Sequence, residues 1–143
     1  MPTNPGFWMR TLLFLSTAWI ALPILVAQNL FGMYLNLWLD FSRYSSIPSV
    51  FTSAPAIDVH VALGILILAI TSGRLAIGML PQYRALRTPS VLIFIFALLA
   101  FTSGVTFTFY GNDDLYSFTM EIGFGGIVVS VAFFLYLANK IHR

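Results

Sequence analysis

Cysteine is absent from the chain, which excludes disulfides, thiolate metal sites and thiol redox chemistry. Charge is scarce: Asp, Glu, Lys and Arg make up 8% of the 143 residues, against about a quarter in an ordinary soluble domain. Histidine occurs twice, as His60 and His142. No Gly-rich phosphate loop, Ser/His/Asp arrangement or paired-carboxylate motif is present, so the common hydrolytic and nucleotide-handling chemistries have no residues to run on. His60, Glu121 and Asp58 together offer one nitrogen ligand with no ligand spacing, and no metal site is assigned. Catalytic activity of the chain on its own is not expected.

Apolar side chains fill the space that charge leaves. Hydrophobic residues make up 59% of the sequence. A small soluble domain leaves too much of its area in contact with solvent to hide that share, so the composition is that of an integral membrane protein forming one domain over 1–143. Four stretches reach the roughly 20 residues that a spanning helix needs, at about 10–38, 58–80, 90–110 and 116–139. Pro23 falls inside the first, where its ring and missing N–H should kink the helix. Pro81 and Pro89 bracket the link between the second and third. "GNDD" (111–114) marks a turn before the fourth. The alternation in "VTFTFYG" (105–111) looks strand-like, but an open strand in lipid would leave its backbone groups unpaired, so a helix is expected there. The longest connection, 40–57, mixes Ser and Pro with Phe41, Tyr44, Ile47, Val50 and Phe51 and should lie along the membrane interface.

Basic residues set the expected orientation. Arg10, Arg84, Arg87, Lys140 and Arg143 share one side of a four-span topology, and only Arg43 falls on the other. The positive-inside rule then puts both termini in the cytoplasm of a multi-pass cell-membrane protein. All five acids, Asp40, Asp58, Asp113, Asp114 and Glu121, fall on the outer half. The net charge of +2 reflects this membrane bias, and nucleic acid is not an expected partner. A rival reading of the first span as a secretory signal would place Leu25 three residues before a cut after Ala27, which is large for a cleavage site. Trp8, Trp38, Tyr110 and Tyr116 sit at span ends and read as interface anchors.

Small and polar residues mark the faces expected to pack, because in lipid small residues allow close approach and polar ones bond across helices. At 100° per residue the second span lines up His60, Gly64, Ile67, Thr71, Arg74 and Gly78. The fourth lines up Glu121, Gly125, Val128, Ala132 and Asn139. The first offers Thr17, Ala21, Gln28 and Gly32; the third offers Ala97, Ala100, Gly104 and Thr108. The fold expected is an all-α, up-down bundle of four transmembrane helices.

Ionisable residues inside a span are costly and are candidates for function. His60, Glu121 and Gln28 fall at similar depth near the outer end, with Met120 beside them, and form the candidate cofactor-binding group. "HVALG" (60–64) resembles the His-x-x-x-Gly stretches of membrane b-type cytochromes, where glycine gives the porphyrin room beside its axial ligand. The resemblance covers five residues and implies haem b at His60. It departs from the pattern in lacking a second histidine at that end, so the sixth position would fall to Met120, to Met33 or to His60 of another copy, or the iron would keep an open site. A quinone is the other cofactor such a group would suit. Arg74 lies about 21 Å along the helix from His60 and is expected to snorkel towards headgroups or to bond interior carbonyls; the alternative is that it holds an anionic lipid headgroup with Arg84 and Arg87.

Three functions fit these residues. The leading one is a non-catalytic subunit of a larger membrane complex, respiratory or transport in kind. The alternatives are a redox module binding haem b or quinone near His60 and Glu121, and a small oligomeric channel or transporter.

Overall fold

The computed structural model describes residues 5–38, 55–110 and 114–141, with side chains at 16, 19–35, 55–107 and 114–140. Loop residues 40–54, turn residues 111–113, His142, Arg143 and the side chains of Trp8, Arg10, Thr17, Asn36, Trp38, Thr108 and Tyr110 lie outside the described residues. The described chain is all helical. Four long helices, α1 (Pro5–Trp38), α2 (Pro55–Gly78), α3 (Arg87–Tyr110) and α4 (Asp114–Ile141), are joined in one place by a 3₁₀ turn over Pro81–Leu86. Three are long and apolar enough to cross a membrane, namely α2, α3 and α4; the apolar stretch described in α1, Trp19–Leu35, is shorter.

Prolines mark where helices begin. Pro5, Pro55 and Pro81 each open an element, a position where the missing N–H costs no hydrogen bond. Pro89 was expected outside the third span but stands in the first turn of α3, where the same reasoning admits it. α1 continues as one helix through Pro23. The segment 105–110 is helical, because in lipid a helix satisfies its own backbone.

Hydroxyls are satisfied in the same way. Thr71 and Ser72 donate to Leu68 O at 3.0 and 2.7 Å, Ser90 to Leu86 O at 2.8 Å and Thr106 to Thr102 O at 2.8 Å. These bonds turn back into each residue's own helix, where the sequence suggested bonds across helices. A hydroxyl paired this way can sit in the core or in lipid at little cost.

Each helix packs against its neighbours in sequence, most extensively α3 with α4, and α1 closes the ring by a light contact with α4. The α3–α4 seam runs antiparallel: Gly104 faces Met120, Ala100 faces Gly123 and Phe96 faces Gly126. A Cβ on Gly123 would lie 2.7 Å from Ala100 N and 2.9 Å from its Cα, so only glycine lets the two backbones meet there. Gly123→Ala should therefore destabilise the protein by about 1–3 kcal/mol. Gly125→Ala, whose Cβ would meet nothing within 4 Å, should leave the unfolding midpoint unchanged or slightly raised. Detergent unfolding followed by circular dichroism distinguishes the two.

The face of α4 that packs is not the one expected. Glu121, Gly125, Val128, Ala132 and Asn139 are all exposed, whereas Gly123, Ile127, Ser130, Val131, Phe134 and Ala138 are buried. Close approach to α3 needs Gly123 and Gly126, and this turns the other stripe outward.

Arg74 follows the stripe expected to pack and does not reach outward. It is 2% exposed and its guanidinium carbon stands 4.1 Å from the Phe134 ring centroid, a cation–π geometry. It cannot snorkel because it lies on the buried stripe of α2 with Ile67, Thr71 and Gly78. The 3₁₀ turn, which packs on α2, α3 and α4, sets buried Tyr83 and Leu86 into the same core cluster. Arg87 donates to Met79 O at 3.1 Å and braces that turn. Of the three arginines expected at headgroups, only Arg84 is exposed.

Candidate functional site

The bundle has two layers. Around Arg74 it is closely packed, with Leu25, Ile93, Val131 and Phe134 each at most 2% exposed and a small void of about 10 Å³ beside Arg74. Towards the His60 end it opens into a cavity of about 220 Å³ with walls from all four helices, and Leu25, Ile67 and Ile127 line both this cavity and the small void beside Arg74.

Glycine makes the space. Gly32 of α1, Gly64 of α2 and Gly104 of α3 all line it. A Cβ on Gly64 would reach Gln28 Nε2 at 3.5 Å and Phe101 at 4.0 Å, so any longer side chain would occupy the cavity. Gly104 accommodates the Met120 sulfur, which a Cβ there would approach to 3.3 Å. At the α3–α4 seam glycine brings backbones together; at this end it leaves room between them.

His60, Gln28, Met120 and Glu121 all line this one cavity. Gln28 and His60 are joined directly, amide Nε2 to imidazole Nε2, at 3.2 Å. The bond crosses from α1 to α2 and is long for its kind. It serves either orientation of the amide: with nitrogen facing the ring the amide donates to Nε2, and with oxygen facing it a protonated Nε2 donates instead. Gln28 Oε1 and His60 Nδ1 are buried and have no hydrogen-bond partner among the described residues, so within these the pair uses only part of its bonding capacity. Glu121 does not bond His60; it is exposed and stands at the cavity's edge. Asp58 is exposed and outside the cavity wall.

The imidazole is held against the backbone of α1. A Cβ on Gly32 would lie 3.1 Å from His60 Cε1, closer than an ordinary contact. Gly32→Ala should leave the helices intact, because alanine's helix preference of about 1 kcal/mol offsets much of the crowding, and displace the imidazole from Gln28. A change in the His60 ring ¹⁵N shifts without loss of helicity would register this.

Sequence reasoning missed several of the walls. Phe101 and Phe107, from α3, and Asn29, from α1, complete the cavity, and the many aromatics gave no sign that these two face inward. The role of Gly32 had a signal, because it stands four residues from Gln28 on the same helix face. Comparison with known protein families, curated proteins and solved structures returned no match.

Proposed function

We propose that the protein is a small multi-pass membrane subunit, with four spans and both termini cytoplasmic, that holds the ring of a quinone-class ligand in the His60 cavity. The observation that carries this reading is a bonded polar pair, Gln28–His60, in the wall of a mostly apolar chamber that Asn29 and Glu121 also line. Binding sites for small molecules have this character: apolar walls and a few placed polar groups that fix orientation. With the amide donating to Nε2, the spare His60 Nδ1–H can donate to a quinone carbonyl, and Gln28 Oε1 can accept from the hydroxyl of the reduced ring.

Size favours a single ring. An apolar cavity of about 150 Å³ takes up benzene, and one of about 220 Å³ suits one substituted six-membered ring. Haem b, whose macrocycle joins four pyrroles, is less well supported, and His60 Nε2 is already engaged by Gln28. The filled layer beneath the cavity, with Phe134 at 0% exposure, counts against a channel. With no cysteine for iron–sulfur ligation and no histidine pair for a bis-histidine haem, the electrons for a bound quinone would come from a partner. That is why a subunit role accompanies the ligand. In this reading exposed Arg84 would meet anionic headgroups or such a partner on the cytoplasmic side.

The test is equilibrium binding of a radiolabelled, tail-less benzoquinone to the purified protein in lipid nanodiscs. Saturable, one-to-one uptake should be displaced by a second quinone and not by toluene, which has a similar size and no oxygen. Equal displacement by toluene would reduce the site to an apolar void.

A further inference from the structure

The cavity has polar groups on two sides. Gln28 of α1 and His60 of α2 are bonded to each other on one. Glu121 comes from α4, which in the ring of four helices stands diagonally across from α2. Ile67 of α2 and Ile127 of α4 share the cavity floor. His60 lies seven residues from the first and Glu121 six from the second, so helical rise puts them about 10.5 and 9 Å above that floor. The two sides are at one depth with the cavity between them. They differ in what they can bond. The Gln28–His60 side offers a donor, Nδ1–H, and an acceptor, Oε1, both buried and without a hydrogen-bond partner among the described residues. It therefore serves a ring carbonyl or a ring hydroxyl alike. Asn29, also in the wall, has an amide with the same double capacity. A charged carboxylate only accepts. Among the described residues, Glu121 is the one carboxylate lining the cavity.

We propose that Glu121 selects the redox state of the ring: it accepts a hydrogen bond from the far hydroxyl of a para-dihydroxy ring, so the cavity prefers the hydroquinone to the quinone. This rests on the cavity being a ring site and names the form of ring it keeps. Para oxygens point to opposite sides of a ring, one towards Gln28–His60 and the other towards α4. A quinone turns its second carbonyl to the carboxylate, and two acceptors then meet with no proton between them. The hydroquinone brings that proton on its own hydroxyl. The bond it makes to a charged acceptor is stronger than one between neutral groups. A tighter hold on the reduced form makes the bound ring easier to reduce, by about 30 mV for each tenfold of preference. The exposed position of Glu121 leaves this selecting group at the cavity's edge, while the neutral amide–imidazole pair holds the inner oxygen in either state.

Anaerobic binding of a tail-less benzoquinone and of its hydroquinone to the protein in nanodiscs separates this selection from the ring site. Glu121→Gln keeps the shape of the side chain and gives it a donor as well as an acceptor. In that variant the ratio of the two affinities should move towards the quinone by about tenfold, the worth of one hydrogen bond to a charged acceptor. The shift should come from weaker hydroquinone binding, with the quinone bound no more weakly than before. Ile122→Gln puts the same amide one residue on, on the exposed outer face of α4, and should move neither affinity. Partition of each probe into lipid is common to the three proteins and cancels in the comparison. An unchanged ratio in Glu121→Gln, or equal losses for the two forms, would overturn the selection by Glu121 while leaving the ring site standing. If the unaltered protein binds neither form, both fall.

Discussion

Phe134→Ala is expected to lower the stability of the protein by about 3–5 kcal/mol, the usual cost of removing a fully buried aromatic side chain from a packed core. Phe134 is 0% exposed and belongs to the cluster formed with Leu25, Ile93, Val131 and Ala138. Its ring also lies beneath the Arg74 guanidinium at 4.1 Å. In lipid the loss is one of packing more than of water exclusion, since the tails outside are as apolar as the core. Truncation leaves a void that rigid neighbouring helices cannot close and takes away the aromatic face beneath a buried cation. Phe134→Leu keeps most of the volume and loses the face, so it should fall between the two. Reversible unfolding by SDS or steric trapping measures all three proteins. A loss below about 1 kcal/mol for the alanine variant would mean that this layer is not packed as described.

His60→Ala is expected to weaken binding of a benzoquinone head by about 10–100-fold, the value of one or two hydrogen bonds made in a dry site. Gln28→Leu should do nearly as much, because it removes the other half of the pair and leaves His60 buried with both ring nitrogens unpartnered on that side. The double substitution should lose less than the sum of the two, since the residues act through one bond of 3.2 Å. Glu121→Gln, at the exposed edge, should change affinity little. Binding isotherms on the four proteins and the unaltered chain give the cycle directly. Additive losses would show that Gln28 and His60 do not work as a pair.

How much of this was legible beforehand differs from helix to helix. On α2 the stripe from His60 through Thr71 to Gly78 faces inward as the spacing suggested, because polar, small and buried positions coincide there. On α4 they separate. Glu121 and Gly125 drew attention as small and polar, yet the packed face is Gly123, Ile127, Val131 and Phe134, mostly apolar side chains. In water such a face would stand out against a polar one. In a bilayer both the packed and the lipid-facing sides are hydrocarbon, and composition alone does not tell them apart. Arg74 shows the same limit from the other direction. Its distance from the helix end suggested an arginine reaching for headgroups, but the face it occupies, shared with Thr71, decided its place in the core.

The candidate site was legible as a set of residues and not as a shape. Gln28, His60, Met120 and Glu121 could be put at one depth by counting residues, and they do line one cavity. That Gln28 and not Glu121 meets His60, and that three glycines hollow out the space beside them, depends on helix rotations which periodicity does not fix.

The central claim, that the Gln28–His60 pair marks a ring-binding cavity, is tested most directly by photolabelling in native membranes. An azido-benzoquinone should attach to the cavity walls, at Gly32, His60, Phe101 or Gly104, and excess unlabelled quinone should suppress it. Label scattered over lipid-facing positions such as Trp19, Leu30 and Val129, and insensitive to competition, would contradict it.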